Sequence, residues 1–354
     1  MKTDQSLETY FKQTYSGQDV IVTGGASFIG SNLVDRLLES GARVTVLDDF
    51  SSGRVENLPS DRVGLRIERI DLRNREQTFN AIQKSDCLFH LAAVHGGRGF
   101  IETFKKEMLV NLAIDNNVFS AASKNGVACV VHASSACAYP IGLQESESTL
   151  NLLEEKQASM ESIETSFPDG VYGWTKLLGE YQLENFSGTE LKGRSARIFT
   201  AYGEKENESH AAIALIAKAL LNANPFPIWG SGQQTRNFTY VQDTVTGLLL
   251  LGSDERPVPF DVFNIGTSSH VRVIDFVEEI FRAINWKPEK YDLQLDKPVG
   301  VASRASNNNK MMDVFGWEPM VGIEIGIART ISWYQGSGLL PNSLEELEER
   351  LMAR

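Results

Sequence analysis

The 354-residue chain has no apolar run long enough to cross a bilayer. Its longest runs, such as Ala211 to Leu221 and Gly247 to Leu251, fall well short of the roughly 20 residues a spanning helix needs. It is also poor in cations: 34 Lys and Arg stand against 46 Asp and Glu, for a net charge of -12. Such a surface repels polyanions and offers no counterion release toward nucleic acid, so any phosphate the chain binds must be met by local groups. Cysteine is scarce. Cys87, Cys129 and Cys137 lie in apolar, strand-like segments, are odd in number and lack a C-x-x-C spacing. This speaks against a disulfide framework or a zinc site and predicts reduced thiols and no metal. Met1 to Gly17 carries Lys2, Asp4, Glu8 and Lys12 and no apolar core of a secretory signal, so a cytoplasmic location is expected. No G-x-S-x-G elbow, H-E-x-x-H helix or G-K-[ST] loop occurs. Hydrolase, zinc-enzyme and P-loop kinase chemistries therefore lapse.

What is present is alternation. At 42% apolar and 23% charged the composition is that of a globular chain, and its length favours two domains sharing an interface. From Asp19 a short β-branched run leads into a glycine cluster, then into a stretch with Ile29, Leu33, Leu37 and Leu38 at helical spacing. Gly41 ends that helix and Arg43 to Leu47 supplies a second strand, closing a β-α-β unit at Asp48. The pattern repeats: Leu65 to Ile70, a helix around Phe79 and Ile82, Asp86 to Leu91, a helix near Asn111 to Lys124, and Val127 to Ala133. The fold class is α/β, a doubly wound parallel sheet of Rossmann type with a smaller C-terminal ligand-binding domain. We assign residues 1–197 to the first domain, with 238–264 returning to it, and 198–354 mainly to the second. In that second part Pro225 to Trp229 is extended by its prolines. Ser343 to Arg354 reads as a Ser-capped acidic helix, a solvated tail without chemistry.

Thr23-Gly24-Gly25-Ala26-Ser27-Phe28-Ile29-Gly30 sits between the first strand and the first helix. Glycines there let backbone approach a pyrophosphate placed on the helix N-terminus. Asp48, at the end of the next strand, stands where a carboxylate accepts a ribose hydroxyl, which favours NAD over NADP. Asp71 and Leu72 after the third strand, and Leu91, Ala92 and Ala93 after the fourth, fall at the strand ends where open α/β sheets bind ligands.

Tyr172 and Lys176, four apart, share one face of a helix, and Ser135 follows the fifth strand. A phenol titrating near 10 in water is a poor base at neutral pH, but a neighbouring ammonium and an oxidised nicotinamide both favour its phenolate. Tyr172 is then placed to take a hydroxyl proton while hydride leaves the same carbon.

With these residues the chain resembles the extended short-chain dehydrogenase/reductase family, in particular its nucleotide-sugar epimerases and dehydratases. The resemblance runs from about Asp19 to about Gln335. It includes Arg197 to Gly203, the segment Trp229-Gly230-Ser231-Gly232-Gln233-Gln234-Thr235-Arg236-Asn237-Phe238, and Phe263 to Gly266. It implies a triad of Ser135, Tyr172 and Lys176, NAD held permanently and recycled in each turnover, and a nucleoside-diphosphate sugar as substrate. It further implies Arg236 on the diphosphate, a contact that suits a guanidinium, and a homodimer.

The family's 4,6-dehydratases carry an Asp-Glu pair just after the catalytic hydroxyl. This chain has Ala136 and Cys137 there, which disfavours ordinary 4,6-dehydration. Ser134 to Pro140, Gly96 to Ile101 and Gly300 to Asn308 look instead like the GDP-mannose 3,5-epimerase branch. In that branch a cysteine at the place of Cys137 exchanges a proton on the carbon beside a transient C4 ketone, and a lysine serves the opposite face. Counting back from Lys218, that lysine falls on His210, and imidazole is well matched to proton transfer. The resemblance also marks Gly96, Arg98, Thr200, Trp229 and Arg304 as substrate contacts. Thr200 replaces the family's usual asparagine and Ser27 a glycine, so substrate and number of inverted centres stay open. The reading is an NAD-dependent epimerase with exchange at C5, C3 or both. Its rivals are a 4-epimerase or 5,6-dehydratase on the same fold, and a nonenzymatic NAD-binding regulator.

Overall fold

Seven short runs of aliphatic and β-branched residues form one parallel sheet in the computed structural model, which describes residues 4–59, 63–160 and 167–352. They are Asp19–Thr23 (β1), Arg43–Asp48 (β2), Leu65–Arg69 (β3), Cys87–His90 (β4), Cys129–Ser135 (β5), Lys192–Ile198 (β6) and Phe260–Ile265 (β7). Their order across the sheet is β7-β6-β5-β4-β1-β2-β3. The winding reverses between β1 and β4, where an open α/β sheet leaves a crevice at its C-terminal edge. Inner strands are buried along nearly their whole length, as at Cys87–His90, because helices cover both faces. The outer strand β3 carries Arg66 and Arg69 on exposed positions, charges that discourage pairing with another chain.

The strands predicted from sequence appear within a residue or two of their expected limits. Val110–Asn125 is the helix expected near Asn111 to Lys124, and Phe226–Trp229 is extended, paired in parallel with Tyr291–Gln294. One feature went unread and one was read only in part. Asp4–Tyr15 is a helix whose Leu7, Phe11 and Tyr15, spaced by four, enter the main core. The last helix, Leu344–Met352, is capped by Ser343, whose hydroxyl accepts the Glu346 N–H, but it is no solvated tail. Leu347 is fully buried and Arg350 pairs with Glu208 at 3.0 Å, so an apolar and an ionic contact together dock it. Ala353 and Arg354 lie outside the described residues. Among the described residues no helix is long and apolar enough to span a membrane.

The main core runs without a break from the Asp4–Tyr15 helix through β1, β2 and β4 into residues 212 to 347. A second cluster, with Leu47, Leu88, Val118, Phe119 and Val130, fills the opposite face of the sheet. The Gly170–Phe186 helix closes onto the ends of β5 and β6 through a buried ion pair and a hydroxyl contact. Glu180 accepts from Arg197 Nε at 2.9 Å and Nη2 at 2.7 Å and also takes the Ser134 hydroxyl. Arg197 spends its remaining donor capacity on the carbonyls of Glu155 and Ala158. Removing one member of such a pair leaves the other charged and unmatched. Glu180→Ala should lower unfolding stability by about 3–5 kcal/mol, read from the midpoint of a denaturant melt.

Candidate active site

The loop after β1 is built for close approach. Gly24 sits at φ +69, and a Cβ there would stand 2.8 Å from the Ala92 nitrogen. A Cβ on Gly30 would collide with the Gly24 carbonyl, so the helix Phe28–Glu39 can start where it does only with glycine at both places. Ser27 occupies its N-cap, but the hydroxyl turns back to the Gly24 carbonyl at 2.5 Å and caps nothing. The first-turn N–H groups are left without a side-chain partner, beside a cavity that Ser27, Phe28 and Ile29 help to line. At the end of β2 the buried Asp48 carboxylate takes N–H bonds from Ala26 at 2.9 Å and Phe50 at 2.8 Å. Burial pushes Asp48 up and these two bonds pull it back. Each oxygen keeps acceptor capacity for a hydroxyl. A dinucleotide with a pyrophosphate and a free ribose fits this donor and acceptor set.

One cavity of about 670 Å³ gathers residues far apart in sequence. Leu91, Ala93, Gly96, Arg98, Ser135, Cys137, Tyr172, Lys176, Thr200, His210, Lys218, Trp229, Arg236 and Arg304 all line it. Gly24, Gly30, Asp48, Asp71, Leu72, Ala92 and Ala136 do not. Gly24, Gly30 and Asp48 shape the loop instead, Ala92 packs against it, and Leu72 and Ala136 are buried. Asp71 is half-exposed and bound to Arg73 at 2.7 Å.

The Gly170–Phe186 helix carries Tyr172 and Lys176 into the cavity, and its start is fixed on the loop after β5. The Asp169 N–H donates to the Cys137 carbonyl at 2.8 Å, and Gly173 lies so close to that carbonyl that a Cβ would overlap it. Lys176 Nζ donates to the Ala133 carbonyl at 2.8 Å and lies 5.8 Å from the Tyr172 ring centre. Burial lowers Lys176, while Asp115, Glu180 and Cys137 work to keep it charged. Burial drives Tyr172 well above the ordinary tyrosine value, Cys137 and Asp115 push the same way, and a hydrogen bond with Ser135 opposes them.

The partners of the expected residues went unread in the sequence: Asp169, Gln144, Asp115 and Glu206. Arg304 donates from Nη1 to the Cys137 sulfur at 3.3 Å, from Nη2 to Asp169 at 2.8 Å and from Nε to Gln144 at 2.6 Å. Arg98 donates to both oxygens of the same Asp169 at 2.9 Å. Arg236 reaches the carbonyls of Thr235 and Val299, each at 2.7 Å, with no carboxylate on it. Burial, and then the guanidiniums of Arg304 and Arg98, disfavour its charge, while Asp169 supports it. An anion in the cavity would relieve that penalty. Beneath Lys176 the fully buried Asp115 meets His90 Nε2 at 3.1 Å, and His90 Nδ1 meets the Thr23 hydroxyl at 2.7 Å, tying the floor to the loop after β1. His210 is partnered by Glu206, not by the neighbouring Glu208, which is taken by Tyr334 and Arg350. Only the four-residue step from Glu206 to His210 was available as a signal. The rest, apart from Arg236 on its neighbour Thr235, are tertiary contacts between residues 25 to 167 apart.

Comparison with known proteins agrees with this geometry. The GDP-mannose 3,5-epimerase of Arabidopsis thaliana is 29% identical over 321 residues, covering 89% of this chain and 81% of its own. An epimerase structure from Methanothermobacter thermautotrophicus superposes with a TM-score of 0.83 at 27% identity, over 98% of this chain and 99% of that one. The UDP-glucose 4-epimerase of Thermus thermophilus, solved in complex with NAD, gives a TM-score of 0.76 at 25% identity, over 90% and 99%. The model of one family matches residues 20–266, and the chain belongs to it: the NAD dependent epimerase/dehydratase family.

Proposed function

We propose that the chain interconverts epimers of a nucleoside-diphosphate sugar through a transient ketone at C4, exchanging a proton at C5, C3 or both. The observation that carries this reading is a cysteine, held under a guanidinium, in the same cavity as the Tyr172 and Lys176 pair. NAD, held by the loop of Gly24 to Gly30 and by Asp48, supplies the oxidation and its reversal at C4. Tyr172 takes the C4 hydroxyl proton, with Ser135 hydrogen-bonded beside it and Lys176 as the nearby cation. A carbonyl at C4 acidifies the neighbouring C–H bonds, and Cys137 and His210 are the groups that remove and return those protons. Arg304 sets a positive charge against the Cys137 sulfur, where negative charge appears once its proton has left. Arg236 and Lys218 hold the diphosphate, Lys218 being a mostly buried ammonium on the cavity wall. Gly96, Arg98, Thr200, Trp229 and Arg304 complete the substrate walls.

In the same proposal residues 1–197 with 238–264 hold the dinucleotide and 198–354 mainly hold the nucleotide sugar. The pairing of β7 with β6 supports that division. A homodimer through the outer faces of Val110–Asn125 and Gly170–Phe186 is supported by the exposed Leu109 and Tyr181 at these helices. The three unbridged thiols fit a reducing cytoplasm.

In heavy water, with GDP-, UDP-, dTDP- or ADP-sugars as candidates, the accepted sugar should gain solvent deuterium at the inverted carbon, read by NMR. Cys137→Ala should lower that incorporation about 100-fold or more while transient cofactor reduction persists, and Tyr172→Phe should lose both. An unlabelled epimer would mean inversion at C4, and a product lighter by one water would mean elimination.

The buried phenol gives a second check. Its value is raised, so Tyr172 should stay protonated in cofactor-free protein through the pH range where exposed tyrosines begin to ionise, near about 10. The ultraviolet difference spectrum of wild type against Tyr172→Phe measures this, and a Tyr172 phenolate near neutral pH without cofactor would refute it.

A further inference from the structure

His210 stands at the N-cap of the Ala211–Leu220 helix, four residues after Glu206. Its Nδ1 lies 3.1 Å from Glu206 Oε1. Glu206 is 3% exposed, and its other oxygen takes the Gly203 N–H at 3.4 Å, so the carboxylate is anchored from behind. A carboxylate only accepts, so the hydrogen in this contact is carried on Nδ1. That leaves Nε2 as the nitrogen for chemistry in the cavity that His210 lines. On the ring's face lies His95, from the segment after β4, with centroids 5.6 Å apart and planes 19° from parallel. Gly97 holds that segment against the Ser209 carbonyl so tightly that a Cβ would overlap it. The imidazole is thus gripped on its edge by an acid and on its face by a second ring. Burial holds Glu206 above the ordinary carboxylate value, and the contacts with His210 and the Gly203 N–H work against that rise.

We infer that Glu206 is a positioning residue that fixes the tautomer of His210, with His95 fixing the plane of its ring, so that Nε2 exchanges a proton with the sugar carbon beside the C4 ketone. This rests on the epimerase reading above. In the returning step the enolate electron pair forms the new C–H bond and the Nε2–H bond breaks, its pair staying on nitrogen. The enolate oxygen becomes the ketone again. The other hydrogen stays on Nδ1, donated to Glu206, and water returns a proton to Nε2. The removing step is the same path reversed.

A double-mutant cycle on the full-length, NAD-loaded protein tests it, using the nucleotide sugar that the wild type labels from heavy water. Glu206→Ala should slow deuterium entry about 10-fold or more with KM unchanged, and Glu206→Gln, which still accepts from Nδ1, should recover part of that loss. In a His210→Ala background Glu206→Ala should cost nothing further, because its effect passes through the imidazole. Transient reduction of the cofactor should persist in all three, reporting intact folding and C4 chemistry. Wild-type exchange in Glu206→Ala overturns the inference, as does an equal loss in the His210→Ala background, which would mark a structural role. Either result leaves the epimerase reading standing. A wild type that takes up no deuterium overturns both.

Discussion

The site exists because one helix lies unusually close to the end of one strand. Gly170–Phe186 rests on the loop after β5 and on the Val110–Asn125 helix at two places where a side chain would not fit. Gly173 lies against the Cys137 carbonyl, and Gly179 lies where a Cβ would come within 2.5 Å of the Asp115 carboxylate. Any larger residue would lift the helix and carry Tyr172 and Lys176 away from Ser135 and Cys137. The same approach buries Lys176 and Glu180, charges that must then be answered locally. Glu180 is answered by Arg197, and Asp115 lies between two histidines with Lys176 above it.

Charge in the molecule is distributed against its average. A chain with a net charge of -12 collects Arg98, Arg236, Arg304, Lys176 and Lys218 on one cavity wall, with Asp169 as the buried carboxylate shared by two of them. Burial makes each cation costly in isolation and responsive to an anion. In the same cavity Cys137 and His210 carry partners of opposite sign, Arg304 and Glu206.

Much of the fold and the chemistry was legible in the sequence because both are written in short spacings. Alternating apolar runs gave strands, the glycine cluster after β1 marked the dinucleotide loop, and the Tyr172 to Lys176 spacing marked a helix face. The Asp4–Tyr15 helix escaped notice because its apolar positions, Leu7, Phe11 and Tyr15, are diluted by polar neighbours, and only packing reveals them as core. Arg304 on Cys137 and Asp115 on His90 were out of reach for a different reason. The first joins residues 167 apart, and no local pattern encodes a contact made by the closing of the fold.

The last helix adds a tie of another kind. Arg350 grips Glu208 and the Leu339 carbonyl, and Tyr334 holds the same Glu208 oxygen. Glu208 lies two residues before His210, so the far end of the polypeptide buttresses the loop that bears the imidazole. Drift at position 350 is thus not neutral with respect to position 208. A change at either of those two residues therefore calls for a compensating change at the other.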